Sequence, residues 1–126
     1  VDQIADKVCA TMMVYAERPS SREKDLVDLV VLAMTQQVDG DALAVAIATE
    51  ARRRGLAPFE RFAVPSGWGA VYASLATGVP YCDDYRDVHA AKELIASFIN
   101  AALDGHAKGK TWLPDRRAWH GRTRLR

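Results

Sequence analysis

Two charged side chains stand where the surrounding residues call for apolar ones. Lys7 lies within Ile4-Ala5-Asp6-Lys7-Val8, and Asp28 interrupts Leu26-Val27-Asp28-Leu29-Val30-Val31-Leu32. An ionised group in apolar surroundings costs roughly several kcal/mol unless it is paired, so each demands a partner. Asp25 falls one turn before Asp28 on the same helical face, and Lys24 and Asp28 form an i, i+4 pair. Arg18 follows Lys7 by about three helical turns and returns to the Lys7 side, with Arg22 close by in the turn. Such a strip supports two kinds of chemistry. It is a lysine that contacts phosphate with carboxylates that orient it or help hold a metal, or an ion cluster that fixes how two helices pack.

The elements that must position these groups are helices. Residues 2–17 carry Ile4, Val8, Met12 and Tyr15 at helical spacing, widened by Cys9, Met13 and Ala16. Pro19 ends that pattern, and Ser20-Ser21-Arg22-Glu23 is a capping-box signature that starts a second helix over about 21–36. If the turn falls near residue 18 or 19, Lys7 and Asp28 each lie about ten residues from it, roughly 15 Å along antiparallel helices, so they meet. Asp39-Gly40-Asp41 opens a third helix that ends near Arg52-Arg53-Arg54 and Gly55. A linker with a short extended piece at Phe62-Ala63-Val64 follows. Ser66 then caps a fourth helix holding Trp68, Val71, Tyr72 and Leu75 that stops at Gly78-Val79-Pro80. Asp84 caps the last helix, whose face is Val88, Ala91, Ile95, Phe98, Ile99 and Ala102, and Gly105 ends it. The fold expected is all-α, a bundle of about five helices with an N-terminal helical hairpin. It occupies residues 1–105 and is followed by a basic C-terminal tail over 106–126.

Composition sets bounds on function. At 126 residues, nearly half of them apolar, the chain can bury a real core. No long apolar run or signal-peptide pattern occurs, so an intracellular, cytoplasmic protein without a membrane partner is expected. Cys9 and Cys82 show no CxxC spacing and read as reduced core or boundary thiols. The net charge of +1 conceals an asymmetry, because residues 106–126 hold seven Lys/Arg against one acid, Asp115. That tail is either a solvated arm or a contact for nucleic acid or an acidic surface. Trp112 and Trp119 within it either stack on bases or dock back on the domain. His89 reads as a core or boundary histidine. Asp83, Asp84 and Asp87 resemble a metal cluster, although capping accounts for two of them and no calcium-loop glycine follows. No GxSxG, P-loop, GxGxxG or HExxH motif is found.

At Ala5-Asp6-Lys7-Val8-Cys9-Ala10, followed by Arg18-Pro19-Ser20-Ser21-Arg22-Glu23-Lys24-Asp25-Leu26-Val27-Asp28-Leu29, the chain resembles the C-terminal half of AbiEii/AbiGii-type nucleotidyltransferases. These are toxins of bacterial type IV toxin–antitoxin and abortive-infection systems. Members carry an aspartate-lysine pair on one helix, a short turn, and an arginine-rich Lys-Asp-x-x-Asp segment opening the next. The specific part of the match spans about residues 4–34.

The resemblance implies the helical C-terminal domain of a DNA-polymerase-β-like enzyme that moves a nucleotide from an NTP, with magnesium, onto an acceptor such as tRNA. Lys7 would contact the phosphates, Asp25 and Asp28 would complete the catalytic site, and Arg18, Arg22 and Lys24 would join Lys7 in binding substrate. The family's metal-binding Gly-Ser and spaced aspartates precede this region, and no Gly-Ser followed by Asp-x-Asp occurs in the 126 residues. The expectation is therefore a fragment, a truncated gene product or one piece of a split enzyme, inactive alone. Mg2+ and NTP would be bound only by the complete enzyme, with no metal site on this chain. The partners implied are the missing N-terminal half, an antitoxin, and tRNA through the basic tail. A reading from a different class stands beside it: a non-catalytic helical interaction module with a structural ion cluster, whose basic tail binds a protein or nucleic acid.

Overall fold

The computed structural model describes residues 1–17 and 23–121, the side chains at positions 14–17 excepted. Five helices, α1 (Asp2–Glu17), α2 (Glu23–Thr35), α3 (Gly40–Arg53), α4 (Ala70–Ala76) and α5 (Val88–Asp104), account for most of it. A small sheet of β1 (Val38–Asp39), β2 (Lys110–Leu113) and β3 (Ala118–Gly121) completes the fold. The chain is mostly helical, as its periodicity requires.

Helix α2 is the centre. Leu26, Leu29, Val30 and Ala33 are fully buried, because α1, α4 and α5 all pack on it, and Val31, Leu32 and Met34 are partly buried against the same core. α1 contributes Ile4, Ala5, Val8, Cys9 and Met12 to the same core and also packs on α3. The expected capping box involves Ser20, which lies outside the described residues, as do Arg18, Pro19, Ser21 and Arg22. The third helix starts as its sequence says: the Asp39 carboxylate accepts from the Ala42 amide at 2.9 Å. The last helix ends at Gly105 in the left-handed conformation, φ 88°.

Three local expectations change. No strand forms at Phe62-Ala63-Val64; Phe62 is instead buried, and its amide donates to Asn100 Oδ1 at 2.7 Å. α4 starts at Ala70 rather than at a Ser66 cap, and only Trp68 and Tyr72 of its expected apolar set are buried, while Val71 and Leu75 are exposed. α5 begins after Asp87 rather than after Asp84.

The segment beyond Gly105, read from sequence as a tail without periodicity, folds through residue 121 as an antiparallel hairpin. Trp112 pairs with Trp119 across it and with Val38 of β1. Trp112 is fully buried, its indole N–H donates to the Ala33 carbonyl at 2.8 Å, and its ring lies 4.6 Å from that of Phe98. Trp119 stacks on Phe98 at 5.9 Å and donates to the Phe98 carbonyl. Of the two roles open to these tryptophans, docking on the domain is the one the structure shows, because each indole finds a backbone acceptor together with an aromatic neighbour.

Candidate functional site

α1 and α2 face each other with Lys7 on one and Asp25 and Asp28 on the other. The Lys7 ammonium stands 3.3 Å from Asp25 Oδ1 and 3.1 Å from Asp28 Oδ2. Asp28 turns its second oxygen to Lys24, 2.9 Å away. The spacing of a helix puts the two carboxylates side by side, and the ammonium fills the gap between them. Access is graded: the Asp25 side chain is 6 % exposed, Lys7 22 %, Asp28 25 % and Lys24 69 %. The cluster therefore runs from the core at Asp25 to open solvent at Lys24.

Its electrostatics favour the charged forms of Lys7 and Asp28. The hydrogen bond to Asp28 raises the Lys7 pKa from its ordinary value; burial opposes this, and the bond and charge of Asp25 add to it. Burial pushes the Asp28 carboxyl up, but the hydrogen bonds and charges of Lys24 and Lys7 together hold it below the usual range. A lysine so held is a fixed cation with part of its surface open to an anionic ligand.

Glu23 belongs to this neighbourhood through partners that the sequence does not announce. It is buried, and its Oε2 accepts from the Gly69 and Tyr72 amides at 3.2 and 2.7 Å, at the start of α4. No sequence signal reveals this, because the partner amides lie 46 and 49 residues away. Asp6, beside Lys7 in sequence, faces the opposite way. It pairs with Arg54 of α3, which also holds Glu50 at 2.6 Å and points another guanidinium nitrogen at Met13 Sδ. The two charges of the Asp6-Lys7 pair thus serve two different helix contacts.

The two carboxylates of the cluster are engaged by ammonium groups, and no group of three or more His, Cys, Asp or Glu among the described residues is arranged for a metal. Asp83, Asp84 and Asp87 are exposed, with Asp83 paired to Arg86, and His89 is exposed rather than at the core. Cys9 and Cys82 are buried free thiols, and burial pushes Cys9 up to about 11.

The residues that build this cluster, Lys7 with Lys24, Asp25 and Asp28, belong to the motifs in which the sequence resembles a toxin family. The family model described as nucleotidyl transferase AbiEii toxin, Type IV TA system, matches residues 1–107. The chain belongs to the AbiEii family. Comparison with curated proteins and with solved structures gave no match. The AbiEii match takes in all five helices, whereas both strands of the β2–β3 hairpin lie beyond it. Among the described residues no helix is long and apolar enough to cross a membrane.

Proposed function

We propose that this chain is the helical part of a nucleotidyltransferase toxin that transfers a nucleotide from an NTP to an acceptor such as tRNA. The single observation that carries the reading is Lys7: a cation fixed by two carboxylates yet still partly open to solvent. In this role the ammonium binds a phosphate of the nucleotide and offsets charge that develops during transfer. Asp25 and Asp28 hold it in place, and Lys24 extends the cationic surface outward.

Lys7 and Lys24 are balanced by Asp25 and Asp28, so the four groups together bring no net charge to a triphosphate. Arg18 and Arg22, between α1 and α2 in the chain, supply the excess. The Gly-Ser and spaced aspartates of the family are assigned to a half outside these 126 residues, and magnesium with them. The chain is inactive without that half. Its setting is a cytoplasmic toxin–antitoxin or abortive-infection system with an antitoxin as partner.

The test is isothermal titration with each of the four NTPs and magnesium, using the chain supplemented with an AbiEii-family N-terminal half. Binding of at least one NTP, weakened tenfold or more by Lys7→Ala with the melting temperature nearly kept, is the expected result. Absence of any binding by a folded mixture would falsify the reading. The burial of Asp25 favours a second reading, in which the cluster is structural and the chain is a non-catalytic interaction module.

A further inference from the structure

The first turn of α2 carries three polar side chains, Glu23, Lys24 and Asp25, that point to different neighbours. Asp25 reaches α1 through Lys7, and Lys24 reaches outward to Asp28. Glu23, buried to 5 % exposure, accepts the amides of Gly69 and Tyr72. Those amides belong to the opening of α4, whose own N-cap residue, Gly69, offers no side-chain bond. A helix start leaves its first amides without intrahelical acceptors, and a buried one must find them elsewhere. Here the acceptor comes from another helix, so one carboxylate ties the beginning of α4 to the beginning of α2.

Glu23 and Asp25 are two residues apart, which places them about 200° apart around the helix. The first turn of α2 is therefore gripped from both sides, by α4 through Glu23 and by α1 through Asp25. First turns fray readily when nothing holds them, because few hydrogen bonds must open. Without the Glu23 carboxylate, the first turn of α2 keeps its core contacts through Leu26 and Val27 but loses its tie to the start of α4, and Asp25 shifts relative to Lys7.

We infer that Glu23 is a positioning residue for the Lys7 cluster, acting through the first turn of α2 to keep Asp25 beneath the ammonium. The inference concerns the geometry of the cluster. Its relevance to nucleotide transfer rests on the function proposed above, and the two can fail separately.

Trace acetylation with acetic anhydride at pH 8, read by peptide mass spectrometry, reports the state of Lys7 in the full chain. Only the neutral amine reacts, so loss of an ion-pair partner speeds labelling, by tenfold for each unit of pKa lowered. Exposed Lys92 serves as internal reference. Glu23→Ala is expected to raise Lys7 labelling relative to Lys92 by about threefold. Glu23→Gln, which keeps an acceptor oxygen for the α4 amides, should restore the wild-type ratio. Trp119→Phe, which removes the bond to Phe98 far along the chain, controls for general destabilisation and should leave the ratio unchanged.

An unchanged ratio in Glu23→Ala, or an equal rise in Trp119→Phe, overturns the inference. Should Glu23→Ala fail to fold, Glu23→Asp carries the test. Its shorter side chain cannot hold both amides, so a smaller rise is expected and an unchanged ratio overturns the inference. ATP added to the wild-type chain with the N-terminal half should protect Lys7. Absence of protection by ATP and by each of the other three NTPs counts against the nucleotide reading and leaves the result for Glu23 standing.

Discussion

Lys7 Nζ meets Asp28 Oδ2 at 3.1 Å across the α1–α2 interface, while the other oxygen of the same carboxylate is held by Lys24. A pair only a quarter exposed gains from its attraction but has also given up much of its hydration, so removing one partner differs from removing both. Lys7→Met alone should lower unfolding stability by about 1–2 kcal/mol, since Asp25 and Asp28 lose their shared cation. Lys7→Met with Asp28→Leu should recover most of that loss in urea melts. A double variant no more stable than Lys7→Met alone would show that the pair stabilises the fold more than the apolar side chains that replace it. If the nucleotidyltransferase reading holds, both variants lose NTP binding whatever their stability.

The same cluster sets a pH dependence. Asp28 has a folded pKa below its unfolded value near 3.8, so its contribution is full above that value and fades as pH falls through the folded one. Lys7 has a folded pKa above its unfolded value near 10.5, so its contribution is full below that value and is lost as pH rises through the folded one. Between these limits the cluster adds a flat term. In wild type compared with Lys7→Met/Asp28→Leu, the difference in melting temperature should be constant from about pH 5 to 9 and change only at the acid and alkaline ends. A difference that instead varies across pH 6–8 sinks this account of the two groups.

Much of this architecture is legible in the residues themselves. The run Leu26 to Leu32 announces a central helix, Asp39 and Gly105 mark a start and a stop, and the turn spacing brings Lys7 to Asp28. Each of these signals is local or depends on a helical period. What escapes is long-range. Glu23 caps a helix 46 residues on, and β1 is too short, at Val38–Asp39, to show any alternation. The hairpin over 110–121 is equally opaque: its strands have four residues each, and its turn carries a left-handed Arg117, φ 51°, where glycine or asparagine would have signalled one.

Arg54 offers a test of the α1–α3 contact. Its guanidinium is mostly buried and joins Asp6 to Glu50, while Arg53 takes the exposed side of Glu50. Arg54→Lys cannot serve both carboxylates with a single point of charge, whereas the guanidinium presents a planar fork. Thermal melts should therefore show Arg54→Ala down by about 3–6 °C and Arg54→Lys recovering less than half of it. Arg53→Ala should stay within about 1 °C, as exposed pairs contribute little. Equal effects of Arg53→Ala and Arg54→Ala would remove the distinction.

The segment beyond Gly105 is structural through residue 121, and truncation there should damage the fold. Trp112 is fully buried against Phe98 and bonded to the Ala33 carbonyl, so Trp112→Ala should cost about 3–5 kcal/mol. Gly40, at the start of α3, sits so close to this segment that an added Cβ would stand 2.1 Å from the Ala107 carbonyl oxygen. Backbone must move to admit it, and Gly40→Ala should lose about 1–3 kcal/mol in denaturant melts although alanine favours helices. Removal of residues 106–126 therefore confounds folding with any effect on nucleic acid. Binding of tRNA is better probed by Lys108→Gln with Arg116→Gln, both exposed, which should leave the melting temperature nearly unchanged. If this surface contacts phosphates, that variant binds more weakly and the salt slope of log Kd falls by about 1–2. An unchanged slope with an intact fold excludes these two side chains from the contact.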